Sequence, residues 1–170
     1  MNTFKLTLLL SLFMAVFSVQ SMQAQWTDME WNSFNLKFKY PTNFTIKQND
    51  SATFTASGKI FTMTIDAWED YDYSSVEDIC NDVVNTIDCT GKILVEESEI
   101  KNKGNLEGYK KYYTAYQNGK LMHMIVAAFI DDLFLYDYSV KILYWDDPKQ
   151  NDIDYKAAQY IIDNIVPMDE

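Results

Sequence analysis

The sequence predicts an α+β protein, an antiparallel sheet flanked by helices as an α/β/α sandwich, in the order ββββα-ββββα. Three observations carry this expectation. Eight stretches alternate apolar and polar residues or run apolar between turn residues, the signature of strands. Two stretches repeat their apolar residues at intervals of three and four, the signature of helices. Gly and Pro are scarce, five and three among 170 residues, so long linkers between these elements are not expected.

The first strand spans 34–40. Phe34, Leu36, Phe38 and Tyr40 point one way and Asn35, Lys37 and Lys39 the other, until Pro41 breaks the run. Short strands follow over 44–48 and 52–56. Ser57-Gly58 then turns the chain into a longer strand over 59–67, with Phe61, Met63 and Ile65 on one face. Its other face carries Thr62, Thr64, Asp66 and, just beyond, Trp68. Val76, Ile79, Cys80, Val83 and Ile87 set a helical period, with Glu77, Asp78, Asn81, Asp82 and Asn85 opposite. Four strands follow, over 93–100, 109–117, 120–130 and 133–145. Asn118-Gly119 is a strong hairpin signal and Asp131-Asp132 a weaker one. The stretch 121–130 is apolar on both faces, as a central strand covered on both sides should be. A last helix over 152–165 is expected to turn Ile153, Ala157, Tyr160, Ile161 and Ile165 inward, and Pro167 follows it.

Residues 1–24 have the layout of a secretory signal peptide: Lys5 in a short positive segment, an apolar run over 6–19, and a small residue, Ala24, at the cleavage point. A membrane span needs roughly 20 apolar residues and this run is shorter. The expected organisation is thus a signal peptide over 1–24 and one domain over 25–170, exported to the periplasm or beyond the cell, with no stable membrane anchor. The net charge is −11, and every basic residue is a lysine. Phosphate and guanine recognition depend on Lys and Arg, so this balance argues against nucleic acid and favours a basic partner or simple solubility. Cys80 and Cys89 are a candidate disulfide in an exported chain. On one straight helix their Cα atoms would lie about 13 Å apart. A bond needs less than about 7 Å, so the helix would have to end between them. A buried free Cys80 is the competing reading.

The stretch "WEDYDYSSVEDIC", 68–80, gathers acids and aromatics without a positive charge. An EF-hand would begin at Asp70, but Ser75 stands where its Gly is needed and Asn81 where its bidentate Glu is needed. Ser74 and Glu77 instead fit a capping box at the start of the helix. Trp68, Tyr71 and Tyr73, with Trp145 at the end of the last strand, remain as a candidate binding surface. Packing beneath the helices is the alternative for them.

"FNLKFKYPTNFTI" (34–46) resembles the opening strand, proline and second strand of PsbP-like domains, the family of DcrB-like bacterial envelope proteins and their relatives. "SSVEDI", "KNKGNLEGYKKYYTAYQNGKLMHMIVAAFI" and "AAQYIIDNIV" are similar to that family's middle helix, its approach to a hairpin, and its closing helix. The resemblance covers nearly all of 25–170 and rests on order and texture. It implies a sheet sandwiched by helices and a role in binding or assembly, and it carries no shared catalytic residues onto this chain.

Other chemistries find little support. His123, the sole histidine, lies between Met122 and Met124, which suggests a soft metal site, but adjacent strand residues point to opposite faces. Two Cys and one His fall short of a structural zinc set, and a Ser or Cys nucleophile would have only His123 as its histidine base. No cofactor, metal or catalytic residue is therefore expected. The leading expectation is a non-catalytic exported domain that works through protein–protein binding or envelope-complex assembly with an unknown protein. An inhibitor or immunity-type protein for a basic enzyme is the alternative within binding. A carboxylate-based hydrolase, with two acids facing each other across a pocket, is the alternative from another class.

Overall fold

In the computed structural model, which describes residues 25–69, 75–131, 133 and 136–168, the alternating stretches become strands of two antiparallel sheets. The expected signal peptide (1–24), Tyr71, Tyr73 and the expected cap Ser74 lie outside the described residues. A small sheet joins β1 (Trp26–Trp31), β2 (Leu36–Pro41) and β10 (Val166–Pro167), in the order β1-β2-β10. The large sheet holds β3 (Thr45–Asn49), β4 (Thr53–Ser57), β5 (Thr62–Glu69), β6 (Thr90–Lys103), β7 (Leu106–Gln117), β8 (Lys120–Asp131) and β9 (Tyr136–Trp145). Its order is β3-β4-β5-β9-β8-β7-β6, so β3 and β6 are its edges. Two helices, α1 (Val76–Thr86) and α2 (Asn151–Asp163), complete the fold.

The expected order ββββα-ββββα needs correction at both ends. β1 and a 3₁₀ turn (Asn32–Phe34) precede the strand read from the sequence, and β10 follows the last helix. β1 exists through its partner: Asp28 lies across from Lys39 and Glu30 from Lys37, with ion pairs of 2.8 and 3.0 Å. The Asn118-Gly119 hairpin is present, and both residues have positive φ (51° and 74°), as a type I′ turn requires.

The large sheet is covered differently on its two faces. On one, Phe54, Met63, Ile65, Phe129, Tyr138 and Ile142 meet Leu36 and Phe38 of the small sheet and Ile161 and Ile162 of α2. Phe38 sits edge-on to Phe54 at 4.9 Å, and the Tyr138 hydroxyl donates to the Phe34 carbonyl at 2.6 Å. On the other, α1 sets Val76, Ile79, Cys80 and Val84 against Ala115, Met122, Met124, Val126 and Ala128. So β8 is internal and apolar on both faces, as its sequence reads. α2 is rotated from expectation: Ile153 and Tyr160 are exposed, while Asp154 and Ala158 are buried. Its inward face is set by the contact with β2 and β9, which local periodicity does not report. Among the described residues, no helix is long and apolar enough to cross a membrane.

Candidate functional site at the β6 edge

Among the described residues, β6 pairs with β7 on one side and with no strand on the other, which leaves that side of its backbone open to pairing. Three consecutive apolar residues, Ile93, Leu94 and Val95, lie exposed on it at 62%, 43% and 54%, and Tyr116 of β7 is exposed nearby. The register explains why all three remain outside. Ile93 pairs with Thr114 and Leu94 with Tyr113, but the ladder slips before Glu96 meets Tyr112, so Val95 is the extra residue of a bulge.

Beyond the bulge the strand turns acidic. Glu97, opposite Lys111, and Glu99, opposite Tyr109, share the α1 side of the sheet. Here the start of α1 and the β6–β7 pair enclose a groove of about 440 Å³, lined by Ser75, Glu77, Glu99, Lys101, Glu107 and Tyr109 among others. Gly108 sits on the other side of β7, where a Cβ would fall 2.9 Å from the Phe129 ring and 3.0 Å from Ile100 Cβ. The helix start is fixed by Ser75, one residue later than the Ser74 cap read from the sequence. Its hydroxyl accepts from the Asp78 N–H at 3.2 Å and donates to the Asp78 carboxylate at 2.8 Å. Glu77 is thereby free to reach Lys111, 3.0 Å away.

Lys111 is the buried hub behind the groove. Its ammonium contacts Glu77, Asn81 (2.8 Å) and Glu97 (3.4 Å) and lies over the Tyr109 ring at 5.6 Å. Burial pushes its pKa down, but the Glu77 hydrogen bond and charge, with further help from Tyr113 and Glu97, outweigh it and the net shift is upward. Its charge is therefore spent inside the site. What faces water along β6 and the groove is mostly carboxylate.

Trp68 and Trp145, two of the residues read as a binding surface, lie far apart. Trp68 pairs with Asp137 and Trp145 stands eight residues further along β9, about 26 Å away at strand spacing. Trp68 is half-buried and packs against the α1 cluster; Trp145 is exposed at the opposite end of the sheet. Tyr71 and Tyr73 are outside the described residues. Cys80 and Cys89 are free thiols, so the candidate disulfide is not formed in the structure. Cys80 is fully buried beneath α1, its Sγ 3.5 Å from the Tyr109 carbonyl, and burial pushes its pKa up to about 12. Cys89 lies past the helix end, its Sγ 3.8 Å from Met124 Sδ.

A second polar cluster lies on the opposite face. His123 Nδ1 is 2.5 Å from the Tyr112 hydroxyl, and Nε2 is 3.0 Å from Asp146. The imidazole stacks on Tyr144 at 4.8 Å, while Met122 and Met124 point into the α1 cluster. Asp146 also accepts from Asn151, and these two bonds hold its carboxyl below the usual range. The network ties β7 and β8 to the connection leading into α2. Its hydrogen bonds and ring stacking suit a structural role. Among the described residues, no three His, Cys, Asp or Glu side chains are placed to hold a metal ion.

Sequence reading missed Ile93–Val95, Glu99, Glu107 and Tyr109 as site residues. The available signal was the run "ILVEESE", three apolar residues without alternation and then three acids in four positions.

No family model matches the chain, and no curated protein does. Its fold is similar to that of the Saccharomyces cerevisiae Ran-binding protein Mog1p, with a TM-score of 0.64 at 11% identity over 86% of this chain and 97% of that one. It is also similar to PA94 of Pseudomonas aeruginosa, with a TM-score of 0.53 at 12% identity over 86% and 99%. LpqN, involved in cell envelope biogenesis of Mycobacterium tuberculosis, matches with a TM-score of 0.53 at 12% identity over 91% and 96%. These are proteins of Mog1/PsbP-like fold, so the PsbP-like resemblance holds at the level of fold. At such identities the likeness shows fold alone.

Proposed function

We propose that this chain is a non-catalytic exported domain that binds a protein partner along β6. One observation carries the reading: a fourteen-residue edge strand leaves three consecutive apolar side chains in water. Proteins usually blunt such edges, because the open backbone ladder recruits another strand. An edge that is open and apolar suits β-strand addition, in which main-chain bonds give affinity and side-chain contacts give selectivity. Two proteins of similar fold, a Ran-binding protein and one involved in envelope biogenesis, accord with a binding role. Export rests on the signal-peptide layout of residues 1–24.

The hydrolase alternative gains less. The groove does gather Glu77, Glu99 and Glu107, but all three are exposed. None is sunk in the apolar surroundings that hold a catalytic acid protonated.

The test compares captures from envelope extracts by the wild type, an Ile93→Lys/Val95→Lys variant and an Ile46→Lys variant on the other edge. The expected result is one partner retained by wild type and Ile46→Lys and lost by the β6 variant. Equal capture by all three would remove β6 from the binding site.

A further inference from the structure

We infer that the partner presents β6 with an extended, basic segment: apolar side chains beside Ile93–Val95, then Lys or Arg side chains entering the groove at Glu99 and Glu107. The inference rests on the β6 reading above and adds the chemistry of the occupant. Charge complementarity carries it. Along β6 and the groove, the exposed charged side chains described are Glu77, Glu96, Glu97, Glu99, Glu107 and a single lysine, Lys101, which pairs with Glu99 at 3.0 Å in the exposed rim. Three more lysines whose side chains are described turn inward. Lys111 is buried among its partners, Lys110 bonds Gln159 of α2 and contacts Glu96, and Lys92 donates to the Val84 carbonyl. An added strand would alternate its side chains between the two faces, so residues two apart would pass Glu97 and Glu99 on the α1 side. Tyr109 lines the same groove, its ring already beneath the Lys111 ammonium at 5.6 Å.

The same carboxylates argue against a second copy of this chain. In antiparallel self-pairing centred on Ser98, Glu97 of each copy would lie opposite Glu99 of the other, and like charges directly opposite are destabilising. With −11 on each chain, long-range repulsion adds to that penalty. A basic segment has neither problem.

The test uses short synthetic peptides in which Val alternates with Thr in one half and Lys with Thr in the other, made in both sequence directions. Control peptides replace each Lys by Glu. Binding to the protein is followed by amide chemical shifts and by hydrogen exchange of the β6 amides. One Lys peptide should bind about tenfold tighter than its Glu counterpart, as two rim ion pairs suggest, and should protect β6. That preference should shrink with added salt and vanish in a Glu99→Lys/Glu107→Lys variant whose amide spectrum shows an intact fold. If Lys and Glu peptides bind equally well and both protect β6, the basic-segment inference falls and the β6 reading stands. If no peptide binds at millimolar concentration, or binding leaves β6 unprotected, both fall. A dimer in sedimentation that Ile93→Lys converts to monomer would make a second copy the occupant and overturn the inference.

Discussion

β3 and β6 each leave one side of the large sheet open, but β3 does so over five residues and β6 over fourteen. β3 is bulged between Ile46 and Gln48, and Lys47 stands in that bulge. Ile46 is its exposed apolar residue, flanked by polar side chains. A short, twisted edge with a lysine is a standard defence against unwanted pairing. β6 is bulged between Thr90 and Ile93, between Leu94 and Glu96 and between Ile100 and Lys103 and turns acidic in its second half, yet Ile93, Leu94 and Val95 stay together in water. The comparison teaches that an open edge is not itself a signal. Both edges are bulged, so length and an apolar run without a charged residue distinguish the edge that can take a strand from the one built to refuse it.

Three substitutions probe that contrast as stability measurements. The largest effect is expected in the half of the sheet that ends at β3. Phe54→Ala of β4 removes a fully buried ring that packs on Phe38 and Tyr40, and should cost about 3–5 kcal/mol in denaturant unfolding. Any protein still folded should bind at β6 as before; loss of binding would show that the two edges are coupled. Next comes Gly108→Ala in β7, opposite Ile100 near the end of β6. Its Cβ would crowd Phe129 and Ile100, costing about 1–3 kcal/mol. Hydrogen exchange should speed up along β6 more than along β3; a uniform change would mean that β6 does not open independently. The smallest effect is Ser75→Ala, which removes the α1 cap at about 1 kcal/mol. It should loosen the groove wall formed by Ser75 and Glu77, whereas a Ser74→Ala exchange, at the position the sequence suggested, should cost less.

Much of this architecture was legible because it is written locally. The alternation of Phe61, Met63 and Ile65 places a strand in the core whatever its neighbours. The spacing of Val76, Ile79 and Cys80 gives α1 its buried face, and Asn118-Gly119 closes its hairpin unaided. Errors came where a neighbour decides. Trp26–Trp31 reads as a mixed segment until Asp28 and Glu30 meet Lys39 and Lys37. α2 buries Asp154, which donor groups from Gln150 help accommodate, and exposes Ile153. The separation of Trp68 from Trp145 was hidden for a related reason. Both tryptophans occur near strand ends, but nothing in the chain states that those ends are opposite ones.

The sequence by itself determined the class, most of the strands, both helices and the acidic character without arginine. These follow from period, composition and alternation, which are properties of neighbouring residues. Only the tertiary structure decided that β9 lies between β5 and β8, that β6 is left at an edge, and that Ile93–Val95 face water. Strand order is fixed by which surfaces can be buried together across the whole chain, and an edge is defined by the strand that is missing beside it.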